Sequence, residues 1–224
     1  MPSRAGGWAA VPPVTKGIIV VNVAVFLLTA ISAHNLSGAG GRVQTELALF
    51  GPSIQYGEWW QLYRLLSAGF LHFGPVHILF NMVILYRFGE MLEPALGPAR
   101  FASLYLAALL TGSFGAMALS PHAFTGGASG AVFGLVAAAA IGLHQRGVNV
   151  WQSGVGGLIV VNLVLTFIVP GISIGGHLGG LVGGFLVGAF MLRVPTTRRS
   201  VIDGMLVAAI ISTLAVAGSA MVAR

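Results

Sequence analysis

Residues 174–194 read IGGHLGGLVGGFLVGAFMLRV, an apolar run broken only by His177 near its start and Arg193 near its end. A helix of about 20 such residues crosses the hydrocarbon core of a bilayer. Gly176, Gly180, Gly184 and Gly188 recur every four residues, and Gly175, Gly179 and Gly183 form a second row beside them. On a helix each row is a smooth ridge, and such ridges let helices approach closely in lipid. His177 stands at the outer end of that contact. If the neighbour is the helix beginning near Ser129, the two side chains come within hydrogen-bond reach.

Six more apolar runs, bounded by charge, proline or glycine, surround this one. With it they predict seven transmembrane helices near 17–33, 76–93, 101–119, 128–145, 150–169, 174–194 and 201–222. The fold class is therefore all-α, a polytopic membrane helix bundle. The run at 17–33 has a second reading, as a signal-peptide core between Lys16 and the small residues Ala30 to Ala33. Composition agrees with a membrane chain. Of 224 residues 56% are hydrophobic and 7% charged, against roughly 25% charged in a soluble domain. Mean hydropathy is +0.92, and 33 glycines suit close packing.

The formal charge of +6 does not point to nucleic acid, because the basic residues sit singly at the ends of apolar runs. That is how topology signals are distributed. Placing the N-terminus inside puts Arg4, Lys16, Arg87, Arg100, Arg146, Arg193, Arg198 and Arg199 on the cytoplasmic side, with Arg42, Arg64 and Arg224 outside. Residues 34–75 then form an external loop whose Trp59, Trp60, Tyr63 and Phe70 suit the membrane interface. Cysteine is absent, which removes disulfides and thiolate chemistry.

Polar groups inside spans are costly and mark candidate sites. His77 and Asn81 fall early in the second run, Ser129 early in the fourth and His177 early in the sixth. In the orientation just derived, all four lie at one outer depth. Singly, each has an ordinary explanation. A serine between glycines packs helices, a histidine near a helix end sits at the interface, and His77 with Asn81 could bond a neighbouring helix.

Together their chemistry is complementary. A serine hydroxyl becomes a nucleophile when a base takes its proton, and histidine has the pKa for that near neutral pH. Acyl transfer also needs donors for the developing oxyanion, which the His77 imidazole, the Asn81 amide and the backbone N–H of Ser129 could supply. The five acids are Glu46, Glu58, Glu90, Glu93 and Asp203. The last three fall at cytoplasmic ends, and nothing pins the first two to His177, so a Ser–His dyad is the economical reading. No His-Glu-x-x-His zinc motif and no paired intramembrane aspartates occur, so neither a metal nor another cofactor is expected.

These residues resemble the rhomboid family of intramembrane serine proteases over about 56–190. The resemblance rests on Tyr63-Arg64, on His72-x4-His77-x3-Asn81, on Glu93, on Gly127-Ala128-Ser129-Gly130 and on Gly176-His177-Leu178-Gly179-Gly180. It implies a six-helix core with a water-filled site open to the outside. Ser129 would be nucleophile, His177 general base, and His77 with Asn81 oxyanion stabilisers. Gly127 and Gly130 would support the nucleophile, with Gly127 allowing close approach. Arg64 would hold the external loop and Glu93 the inner end of the second helix, while His72 would make local hydrogen bonds. The family's usual Trp-Arg pair reads Tyr63-Arg64 here.

The implied layout is a cytoplasmic segment over 1–16, the core over 17–194 and a linker with an extra helix over 195–224. The implied substrates are single-span membrane proteins, cut in or near their transmembrane segment, in a bacterial inner membrane. A rhomboid-like protein that binds transmembrane clients without cutting them is the alternative. A small-solute transporter relaying protons through its histidines is disfavoured, since the fifth and seventh runs offer no charged pathway.

Overall fold

A computed structural model describes residues 10–37, 40–54, 59–193 and 198–222, the side chains of 198–201 excepted. Arg4, Glu58 and Arg224 lie outside the described residues. The described chain is helical: α1 (Pro13–Ala33), α2 (Arg42–Leu47), α3 (Gly51–Ile54), α4 (Arg64–Ser67), α5 (Pro75–Leu96), α6 (Pro98–Leu119), α7 (Ser129–Gln145), α8 (Val155–Ile168), α9 (Ile174–Met191) and α10 (Arg198–Val222). Extended pairing among these residues is limited to one bridge, Leu49 with Thr125.

Each of the seven apolar runs is a helix, but they are not equal. α1, α6, α9 and residues 202–222 of α10 are each long and apolar enough to cross a membrane. α5 meets the same measure only joined to the helical turns over 59–70, across an 84° bend. α7 and α8 are apolar but shorter. The span expected over 150–169 is the largest discrepancy, because α8 covers only 155–168. Asn149 Oδ1 accepts the N–H groups of Trp151 and Gln152 at 2.9 and 3.2 Å, which turns the chain. Gly154 follows at φ +81°, and the helix can begin only after it.

The described residues of the interhelical loop over 34–75 form short helical turns with two faces. Trp59 and Trp60 point outward, 75% and 57% exposed, whereas Leu65, Ala68 and Leu71 are buried. Arg64 clamps the loop from inside: Nη1 donates to the carbonyls of Thr45 (2.7 Å) and Ala48 (2.9 Å), and Nε to Gln61 Oε1 (2.6 Å). Tyr63 adds a hydrogen bond from its hydroxyl to the Glu46 carbonyl at 2.8 Å. Ser113 of α6 donates to the Leu65 carbonyl (2.6 Å), fixing this loop to the bundle.

At the opposite end of α5, buried Glu93 accepts the N–H groups of Val14 and Thr15 (2.9 and 2.8 Å) and the Thr15 hydroxyl (2.7 Å). The first turn of any helix has N–H groups without partners. α1 starts with no side-chain cap of its own, so a carboxylate from α5 does that work.

α9 is central. Its row Gly180, Gly184, Gly188 faces Gly130, Gly134 and Ala138 of α7, and its row Gly175, Gly179, Gly183 faces Gly115 and Thr111 of α6. The condition set for the first ridge is met for these three glycines, since their neighbour is the helix that carries Ser129. The C-terminal end of α9 is held by Arg100, which donates to the Met191 carbonyl, and by Gln145, which donates to the Ala189 carbonyl at 3.0 Å. Cationic groups suit a helix C-terminus, where carbonyls lack partners. α10 packs on α6 and α9, with Gly204 against Met191 and Gly218 against Phe114.

Candidate active site

Three helix N-termini converge at one end of the bundle. His77 and Asn81 lie in the first two turns of α5, Ser129 opens α7, and His177 is in the first turn of α9. Below Ser129 the three glycines Gly112, Gly130 and Gly176 meet. A Cβ on Gly130 would lie 3.1 Å from the Gly176 carbonyl and 3.4 Å from Gly112 Cα. The floor of the site is thus bare backbone from α6, α7 and α9.

Gly127 explains how the loop before α7 reaches the nucleophile position. Its φ is +136°, a conformation that residues with a Cβ rarely adopt. Its N–H donates to the Ala68 carbonyl at 2.8 Å, tying this loop to the segment before α5. A Cβ here would stand 2.9 Å from both Cε1 and Nε2 of His77 and 3.5 Å from Ser129 Oγ. The volume a side chain would fill is therefore bordered by the hydroxyl and by one imidazole nitrogen.

The tautomer of His77 follows from its other nitrogen. Nδ1 accepts the N–H of Phe73 at 3.3 Å, so the neutral ring carries its proton on Nε2, toward Gly127 and Ser129. Asn81 is buried, and its Nδ2 donates to the His77 carbonyl at 3.0 Å. An amide nitrogen has two protons, so one remains for another acceptor.

His72 is wholly buried in the loop end before α5. Both ring nitrogens are buried without a hydrogen-bond partner. The ring instead packs edge-on against His77, with centroids 4.9 Å apart.

His177 is held on two sides. Ser173 caps α9, its Oγ accepting the Gly176 N–H at 3.1 Å, and this fixes the turn that carries the histidine. The imidazole stacks on Phe133, centroids 4.1 Å apart and planes 21° apart. Phe133 lies four residues after Ser129, so the His177 ring lies over the same face of α7, one turn on. Its Nδ1 lies 2.7 Å from the hydroxyl of buried Thr166 on α8. Ser129 and His177 form no hydrogen bond with each other, although α7 and α9 are in contact as expected; among the described residues no carboxylate bonds His177 either.

Phe133 and Thr166 are the residues that the sequence reading missed. Phe133 could have been found by stepping one turn along α7 from Ser129. Thr166 carries no such signal, since a threonine in an apolar run ordinarily bonds the carbonyl four residues back.

The chain is similar to known proteins over most of its length. The Rhomboid domain family matches residues 59–194. The chain is 36% identical over 186 residues to the rhomboid protease GluP of Bacillus subtilis, across 80% of this chain and 34% of that one. It is 33% identical over 199 residues to the rhomboid protease GlpG of Klebsiella pneumoniae, across 84% of this chain and 66% of that one. RHOMBOID-like protein 7 of Arabidopsis thaliana is 31% identical over 145 residues, across 60% and 44% of the two chains. This chain thus spans about a third of the length of GluP. The match takes in more than half of the sequence and all four polar residues at the helix ends, and the chain, an integral multi-pass membrane protein, belongs to the rhomboid family.

Proposed function

We propose that the chain is an intramembrane serine endopeptidase that cleaves single-span membrane proteins in or near their transmembrane segment. One observation carries this reading: Ser129 Oγ and the proton-bearing Nε2 of His77 border one small space beside the N-terminus of α7. A nucleophile and an oxyanion donor must share such a space with the reacting carbonyl.

In this reading Ser129 Oγ attacks the carbonyl carbon while Nε2 of His177 takes its proton. The tetrahedral oxyanion receives hydrogen bonds from His77 Nε2–H, from the free proton of Asn81 Nδ2 and from the Ser129 backbone N–H. Collapse breaks the C–N bond, and His177 returns the proton to the leaving amine. Water then hydrolyses the acyl-serine with His177 again as base. A helical peptide bond is shielded from attack, so the substrate must unwind locally. Small or helix-breaking residues near the cut ease that step.

The protease core is assigned to 17–194, with 195–224 as an added linker and helix. The N-terminus is placed in the cytoplasm and the site toward the outer side of a bacterial inner membrane, on the eight-to-three distribution of basic residues.

The deciding experiment is labelling of the purified chain by a fluorophosphonate. Ser129 is expected to label in the wild type and to lose labelling in His177→Ala. A well-folded wild type that does not label belongs to the non-cutting client binders instead.

The oxyanion assignment makes a separate prediction. Asn81→Ala should lower kcat by roughly 100- to 1,000-fold, the usual cost of one lost oxyanion donor. KM should change little, because the bond strengthens as the oxyanion forms. A large rise in KM at constant kcat would instead place Asn81 in substrate binding.

A further inference from the structure

The hydroxyl of Thr166 has one proton and two neighbours that compete for it. Oγ1 lies 2.7 Å from the Asn162 carbonyl oxygen, one turn back on α8, and 2.7 Å from Nδ1 of His177 on α9. A carbonyl oxygen can only accept, whereas a hydroxyl can donate once and accept twice. The arrangement that satisfies both contacts sends the threonine proton to Asn162. Nδ1 of His177 must then bring its own proton to Oγ1. A neutral imidazole protonated on Nδ1 has its lone pair on Nε2, the form a general base requires.

We infer that Thr166 is a positioning residue that holds His177 in the Nδ1–H tautomer, so that the dyad has a neutral third member in place of an acid. This rests on the assignment of His177 as base. Both partners are almost wholly enclosed, Thr166 at 2% and His177 at 8% exposure. Phe133 fixes the plane of the ring by stacking, and Thr166 fixes which edge faces α8. Stacking alone cannot distinguish the two edges of an imidazole; the hydroxyl can.

A hydroxyl also suits this place better than a carboxylate would. In soluble serine hydrolases a buried acid holds the tautomer and stabilises the imidazolium. Burying a carboxylate in a membrane bundle carries a heavy desolvation cost. A threonine whose own proton is already given to its helix supplies the required acceptor without a charge. The structure gives Thr166 no other side-chain partner, and its helix needs no extra hydrogen bond there.

The test compares Thr166→Val, which keeps the shape and removes the oxygen, with Thr166→Ser, which keeps the oxygen. Both are made in the full chain and assayed on a single-span substrate, with Ser129→Ala as the inactive reference. Thr166→Val should lower kcat roughly 10- to 100-fold, the usual scale for losing an orienting partner, with KM within about twofold. Thr166→Ser should stay close to wild type. Nitrogen-15 spectra of the His177 imidazole should show Nδ1–H in wild type and Thr166→Ser, and a shift toward Nε2–H in Thr166→Val.

Wild-type kcat in Thr166→Val, or an Nε2–H imidazole in the wild type, overturns the assignment. If Thr166→Val is too unstable to assay, the wild-type and Thr166→Ser spectra still decide. Turnover surviving in Ser129→Ala would remove the catalytic reading itself, while the spectra would go on reporting the tautomer independently.

Discussion

Ser129→Ala is expected to abolish cleavage of a single-span substrate, a loss on the order of 10⁴-fold or more, and to leave the helical fold and its melting temperature at wild-type values. The size follows from the role. Removing the nucleophile of a serine hydrolase leaves only what binding and the oxyanion donors achieve without it. The structural silence follows from the packing. Ser129 makes no side-chain cap at the start of α7, and the close contacts of that turn are made by Gly130 and Gly134 against α9. Alanine at the first helical position is therefore close to neutral for stability.

His177→Ala should be equally inactive, but it is the less clean experiment. It removes the stack on Phe133 and leaves the Thr166 oxygen without its partner. Its melting temperature should fall. Turnover by Ser129→Ala above background would sink the serine mechanism outright, whatever His177→Ala does.

Much of this molecule could be read before any coordinates. Hydropathy located seven apolar helices, four of them long enough to cross a membrane unaided, because in lipid every backbone polar group must be satisfied within the helix and no alternative competes. The glycine period of four in 174–194 announced a close-packed helix, and it packs on the helix that carries Ser129. The polar residues His77, Asn81, Ser129 and His177 stood out because lipid makes such groups rare.

What stayed hidden depended on neighbours that one sequence does not name. The late start of α8 turns on the Asn149 side chain folding back on its own backbone. That Arg64 holds the external loop was implied by the resemblance, but the carbonyls it reaches, sixteen and nineteen residues away, were not. The bond between Thr166 and His177 joins two helices through residue types that have commoner uses elsewhere.

The glycines of α9 should prove nearly as sensitive as the nucleophile itself. A Cβ on Gly180 would run into the backbone of Gly130, with Gly130 Cα at 2.8 Å and its carbonyl group closer still. Backbone cannot swing aside as a flexible side chain can, so α9 must move away from α7. Gly130 follows Ser129 directly and Gly180 lies three residues beyond His177, so that shift falls on the pair proposed to carry proton transfer. A displacement of about 1 Å in a catalytic arrangement can cost about 100-fold in rate.

Gly180→Ala is therefore expected to lose about 100-fold or more in kcat, and Gly180→Leu to lose the folded bundle. Gly157→Ala is the matched control, because nothing lies within 4 Å of the Cβ it would add on α8. It should leave turnover unchanged, and its greater helix propensity should hold or raise the melting temperature. If Gly180→Ala cleaved as well as Gly157→Ala, contact between the α7 and α9 backbones could not be what holds Ser129 and His177 in register. The pair would then have to be aligned from the other side, by the α8 hydroxyl and the Phe133 ring.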